Sequence, residues 1–227
     1  MSEQLVQVAE AMVANGKGIL AADESTGTMT KRLASIEVES TETNRRDYRE
    51  MLFRTSDALH DYISGVILFD ETLRQTCDDG TPLVRLIGDA GSIPGIKIDK
   101  GAKPLAGAPG EKVTEGLDGL RERLAEYYEL GARFTKWRAV IDIGRGGDAS
   151  IPSLYCVQTN AHALARMAAL SQEANLVPIV EPEVLMDGDH DIDRCAEVTE
   201  RTLKTVYMEL FEQRVLLEGS ILKPNMV

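Results

Sequence analysis

The sequence predicts a single domain, residues 1–227, of the parallel α/β class. Short apolar runs recur at 18–22, 62–69, 95–98, 134–141, 176–180 and 215–222. Each is of strand length and nearly continuous in hydrophobicity, as expected of parallel strands covered on both faces. Longer segments with apolar residues three and four apart fall between these runs, and strand alternating with helix gives a parallel sheet. A third observation concerns placement: charged residues stand at the ends of the apolar runs.

Helices are predicted at 3–14, 43–59, 114–130, 153–174 and 191–212. In the last of these, Ile192, Cys195, Val198, Leu203, Val206 and Leu210 outline an apolar stripe with one gap at Thr199 or Thr202. Gly131 suits a C-terminal cap for 114–130, and Pro152 stands where the first turn of 153–174 begins. The Gly/Pro-rich 101–111 stretch reads as an exposed loop within the domain.

With 227 residues, 43% of them hydrophobic and 27% charged, the chain can bury a large core. Its net charge of -12 argues against nucleic acid and acidic membrane surfaces as partners, while leaving room for a local basic pocket. No apolar run approaches membrane-spanning length, and the acidic first residues lack the basic start of a secretion signal. Three widely spaced cysteines, Cys77, Cys156 and Cys195, fit a reducing compartment, so a cytoplasmic location is expected.

Asp23 follows the first run, Lys97 and Asp99 the third, Lys136 and Arg138 punctuate the fourth, Glu181 and Glu183 close the fifth, and Lys223 ends the sixth. Residues two apart on a strand share a face, so Lys97 with Asp99, and Lys136 with Arg138, point the same way. Charges at the carboxyl ends of parallel strands converge on the active face of a β/α barrel. Lys223 alone would read as a lysine snorkelling into solvent. Held near other charges, a lysine closing an apolar run also suits a nucleophile toward carbonyls.

These residues lie in longer blocks: Gly18-Ile-Leu-Ala-Ala-Asp-Glu-Ser-Thr-Gly-Thr, Gly65-Val-Ile-Leu-Phe-Asp-Glu-Thr-Leu and Gly95-Ile-Lys-Ile-Asp-Lys-Gly. Three more follow: Phe134-Thr-Lys-Trp-Arg, Val177-Pro-Ile-Val-Glu-Pro-Glu-Val-Leu and Leu217-Glu-Gly-Ser-Ile-Leu-Lys-Pro-Asn-Met-Val. In this order they resemble class I fructose-bisphosphate aldolase over nearly the whole chain. The resemblance implies a (β/α)8 TIM barrel, represented here by about its first six β/α units and lacking strands seven and eight. It implies reversible cleavage of fructose 1,6-bisphosphate to dihydroxyacetone phosphate and glyceraldehyde 3-phosphate, with no metal and no cofactor. A homotetramer binding a small sugar phosphate is the expected form.

By match to the family motifs, Lys223 resembles the Schiff-base lysine, Glu181 the proton-shuttling carboxyl group, and Asp23 the acid-base residue at the C4 hydroxyl. Lys136 resembles the lysine that supports the carbinolamine step, and Glu183 a second acid-base group or an electrostatic support. Lys97, Arg138, Arg32 and Arg45 resemble contacts to substrate or phosphate. Nearby Lys136 and Lys97, with partial burial, would favour the neutral Lys223 that attack on a carbonyl needs.

Other motifs carry less. Asp187–Asp193 lacks the glycine and glutamate of a calcium loop, having Ile192 and Val198 at the sixth and twelfth positions, so a solvated loop with a helix cap is expected. Gly144-Arg-Gly-Gly-Asp-Ala matches a relaxed dinucleotide pattern but sits after the fourth run with Pro152 close behind. His60, His162 and His190 lack metal-ligand spacing, and Trp137 reads as packing. The alternatives to a bisphosphate aldolase are another Schiff-base enzyme, such as a transaldolase, and a non-catalytic fragment that keeps the binding surfaces.

Overall fold

A computed structural model describes residues 2–144 and 150–227. The pattern at 144–149 therefore lies largely outside the described residues. Helix α1 (Ser2–Met12) precedes β1 (Gly18–Ala22), and α2 (Thr26–Ala34), α3 (Glu42–Phe53) and α4 (Ser56–Tyr62) lead to β2 (Ile63–Leu68). After α5 (Asp70–Arg74) and α6 (Leu83–Asp89) comes β3 (Ile93–Lys97). A hairpin of β4 (Ala102–Pro104) and β5 (Lys112–Thr114) leads through α7 (Leu120–Glu129) to β6 (Phe134–Ile141). Then follow α8 (Leu154–Glu173), β7 (Val177–Val184), α9 (Ile192–Glu212), a 3-10 turn at Leu217–Gly219, and β8 (Ile221–Leu222).

The main sheet runs β1-β2-β3-β6-β7-β8 with every neighbouring pair parallel. Strand alternation sorts its side chains onto two faces. Val66, Leu68, Ile96, Trp137, Ala139 and Val180 pack outward in the main core, with apolar residues of helices such as Leu124 of α7 and Leu164 of α8. Ile67, Phe134, Val177 and Ile179 point to the other, concave face, where Leu5, Ala9 and Met12 of α1 cover them. Continuous hydrophobicity along these strands thus reflects two buried faces, one against the helix layer and one around the barrel axis.

Several expectations need correction. The sixth run is mainly a 3-10 turn, with Ile221 and Leu222 as its strand; Lys223 extends the pairing by donating its amide to the Val180 carbonyl at 2.9 Å. The 43–59 helix breaks into α3 and α4, because Thr55 leaves helical geometry (φ -80, ψ 64). Helix α7 begins at Leu120 and not at 114, since Gly116 and Gly119 take left-handed φ values of 133 and 61. The 101–111 stretch forms most of the β4–β5 hairpin, with Leu105 and Glu111 buried. Thr202 fills the gap in the α9 stripe while Ile192 is exposed, and Asp191 caps that helix as expected.

Gly95 shows how tightly the concave floor is built. It pairs with Phe134 across β3 and β6, and a Cβ added there would overlap the Phe134 ring, which is itself fully buried. Gly95→Ala is expected to cost about 1–3 kcal/mol by overpacking. Adding Phe134→Leu should recover part of that loss in urea unfolding; additive losses in the double variant would show that the two sites do not clash.

Candidate active site

Above the apolar floor, the carboxyl ends of the strands turn charged side chains into the same concave space. Lys136 and Arg138 follow Phe134 at intervals of two on β6, as Glu181 and Glu183 follow Ile179 on β7. Lys97 stands in register with Lys136, and Arg138 with Glu181. Asp23 leaves the end of β1, just before Ser25 caps α2 by accepting a hydrogen bond from the Thr28 amide.

The cluster centres on Lys136. Its ammonium donates to Asp23 Oδ2 at 3.0 Å and lies 3.1 Å from Glu181 Oε2, while Glu181 Oε1 accepts from Lys223. Asp23, Lys136, Glu181 and Lys223 therefore form an unbroken chain of alternating charge drawn from β1, β6, β7 and the end of β8. Glu181 is 2% exposed in its side chain and Lys223 47%, so the chain runs from the interior to the rim. Burial pulls the Lys136 pKa down, but Asp23 and Glu181 outweigh it and hold it above the ordinary lysine value.

A cleft of about 930 Å³ opens beside this chain, lined by Asp23, Lys97, Asp99, Lys136 and Arg138. Lys223 does not line it. The lysine instead borders an apolar hollow of about 370 Å³ with Ile19, Ile179 and Ile221, between β1 and β8. Within the cleft Lys97 is bound by Asp99 at 2.5 Å, and Arg138 is paired with Glu183. Each cation expected to press on Lys223 thus has its own carboxylate partner: Lys136 has two and Lys97 has one.

The two remaining arginines part company. Arg32, on α2, is exposed and paired with Glu24, a residue of the cleft wall. Arg45, on α3, is buried: its Nε donates to Glu71 Oε2 at 2.9 Å, its Nη2 to Glu71 Oε1 at 2.5 Å and its Nη1 to the Ser40 carbonyl at 2.6 Å. Its guanidinium is committed to those groups and does not line the cleft. Sequence reading missed Ser25, Thr28 and Phe69 as cleft residues. The helix cap at Ser25 and the alternation that puts Phe69 on the face of Ile67 were the available signals.

The sequence matches the fructose-bisphosphate aldolase class-I family over residues 4–227. A probable fructose-bisphosphate aldolase class 1 of Xanthomonas campestris pv. campestris is 64% identical over 225 residues, covering 99% of this chain. The cytosolic fructose-bisphosphate aldolase 6 of Arabidopsis thaliana is 56% identical and covers 100% of it. A crystal structure of the aldolase of Plasmodium falciparum superposes with a TM-score of 0.96 at 49% identity over 100% of this chain. The chain spans 66% of the Xanthomonas protein, 64% of the Arabidopsis protein and 64% of the Plasmodium chain. Its six parallel strands with their helices are a partial (β/α)8 barrel, and the chain belongs to the class-I fructose-bisphosphate aldolase family.

Proposed function

We propose that this chain carries the Schiff-base half of a metal-independent fructose 1,6-bisphosphate aldolase, a lyase of glycolysis and gluconeogenesis. The observation that supports it most is the Asp23–Lys136–Glu181–Lys223 chain, in which Lys136 touches both carboxylates and Glu181 also touches Lys223. Lys223 Nζ attacks the C2 carbonyl of the substrate, and the carbinolamine loses water to give a protonated imine. Glu181, in contact with Lys223, is placed to give and take the protons of those steps. Lys136 keeps a fixed positive charge beside the developing oxyanion.

Carbon–carbon cleavage then follows. Asp23 takes the proton of the C4 hydroxyl, the C3–C4 bond breaks, and its electron pair enters the imine to give an enamine. Glyceraldehyde 3-phosphate leaves, the enamine is protonated at C3, and hydrolysis frees dihydroxyacetone phosphate and Lys223. Glu183 holds Arg138 at the cleft wall, so support of that cation is the role its contact favours. Lys97 and Arg138, which line the cleft, and Arg32, paired with Glu24 of its wall, are the cations assigned to anionic substrate groups. A cytoplasmic protein is the fitting setting, given relatives named cytosolic or cytoplasmic. Among the described residues no helix is long and apolar enough to cross a membrane. The working form is read as a homotetramer.

Incubation with dihydroxyacetone phosphate followed by borohydride should leave one reduced adduct by mass spectrometry, located at Lys223 and absent from Lys223→Arg. An adduct that survives that substitution would eliminate Lys223 as the nucleophile. Fructose 1,6-bisphosphate should be cleaved faster than fructose 1-phosphate, and turnover of neither would count against the bisphosphate reading.

Lys136 also makes a stability prediction. Its folded pKa lies above the unfolded value of 10.5, so its stabilisation is complete below that value and is lost as pH rises through the folded pKa. Lys136→Met should cost about 3–5 kcal/mol at pH 7, because Asp23 loses the cation it touches and the buried Glu181 is left with Lys223 alone of its two. Its urea-unfolding stability should also decline less steeply than that of the unsubstituted protein above pH 10.5. Parallel alkaline declines in the two proteins would remove Lys136 as the source.

A further inference from the structure

Arg49, on α3, is 0% exposed and has no place in the cleft wall. Its Nη2 donates to the main-chain carbonyl of Glu24 at 2.6 Å. Its Nη1 lies 3.7 Å from Glu71 Oε2, and neither Nε nor Nη1 makes a hydrogen bond. The guanidinium carbon stands 6.0 Å from the centroid of the Phe69 ring.

A buried cation is costly, and each carboxylate around this one, Glu24, Glu71 and Asp23, has a nearer cation. Glu71 is already gripped by Arg45 through two hydrogen bonds, and the Glu24 carboxylate is taken by Arg32. What Arg49 adds is a charge-assisted bond to a backbone oxygen. That oxygen belongs to the residue following Asp23. Sheet pairing of β1 stops at Ala22, opposite Leu68, and α2 begins at Thr26. Residues 23–25 thus lie outside both elements, where few bonds decide which way Asp23 points.

We propose that Arg49 is a positioning residue for Asp23: it pins the Glu24 peptide from below and so aims the Asp23 carboxylate at Lys136 and the cleft. The proposal rests on the aldolase reading above, in which Asp23 serves carbon–carbon cleavage while Glu181 serves imine formation at Lys223. The two steps use opposite ends of the charged chain. A misaimed Asp23 should therefore slow the first and spare the second. Lysine at position 49 keeps a cation but loses the planar fork.

Two measurements on Arg49→Lys test this. Cleavage of fructose 1,6-bisphosphate should fall about tenfold or more, as a small misplacement of a reacting group produces. Borohydride trapping of dihydroxyacetone phosphate should stay within about twofold of the unsubstituted protein, since uniform loss of structure would lower both. Amide hydrogen exchange should quicken in peptides covering 23–25 and stay unchanged in β1. Arg49→Gln, which keeps a donor without a buried charge, carries the same test if the lysine variant does not fold. Equal losses of cleavage and trapping, unaltered cleavage, or unaltered exchange at 23–25 would each overturn the proposal. An unsubstituted protein that traps nothing would sink the aldolase reading instead, and the exchange comparison would still decide the tether.

Discussion

One ammonium holds the charged end of this molecule together. Lys136 bridges Asp23 and Glu181, and without it Asp23 would lose the ammonium it touches while the buried Glu181 would keep Lys223 alone of its two cations. The bridge also reports the shape of the sheet. Asp23 belongs to the end of β1 and Lys136 to β6, with β2 and β3 between them. In a flat sheet, at about 4.8 Å per strand, those backbones would be about 14 Å apart. A direct 3.0 Å contact between their side chains requires the strands to curl around a common axis. The same ion pair is thus a consequence of barrel curvature and a restraint upon it.

That restraint works because of what lies beneath. Phe134, Ile67 and Ile179, capped by Met12 of α1, close the lower half of the concave face to water. Glycine at 95 leaves the room beside β3 that the Phe134 ring occupies. Charges resting on such a floor interact more strongly than they would in solvent, since low polarisability below them reduces screening. Apolar floor and charged roof alternate along single strands: Phe134 then Lys136 on β6, Ile179 then Glu181 on β7.

Much of this was legible in the sequence, for identifiable reasons. Each strand of the main sheet but the last stood out because burial on both faces makes parallel strands continuously apolar. The run at 215–222 misled for the same reason: its apolar residues pack as a 3-10 turn, and hydrophobicity carries no record of the difference. Helix boundaries failed where glycine intervened, as at Gly116 and Gly119 before α7. In the site, Asp23, Lys136, Glu181 and Lys223 were visible because a charge ending an apolar run is conspicuous. Arg45 stands outside the cleft lining because a guanidinium's partner is set by tertiary contact, and nothing in the spacing of Arg45 and Glu71 announces their pairing. Arg49 escaped attention altogether, being one arginine among several on a charged helix.

The position of Lys223 gives Glu181 a particular importance under the proposed mechanism. The lysine borders an apolar hollow, and the cleft that gathers Lys97 and Arg138 does not include it. Glu181 is the described side chain that touches both Lys223 and Lys136, and it is almost wholly buried. Glu181 is therefore the carboxylate in direct contact with the attacking amine. Lys136, fixed as a cation between its two carboxylates, keeps Glu181 from being drawn entirely to Lys223. Under that mechanism Glu181 exchanges protons with Lys223 and the carbinolamine, while Lys136, which stays a cation, stabilises the negative charge on Glu181 whenever its proton has been given up.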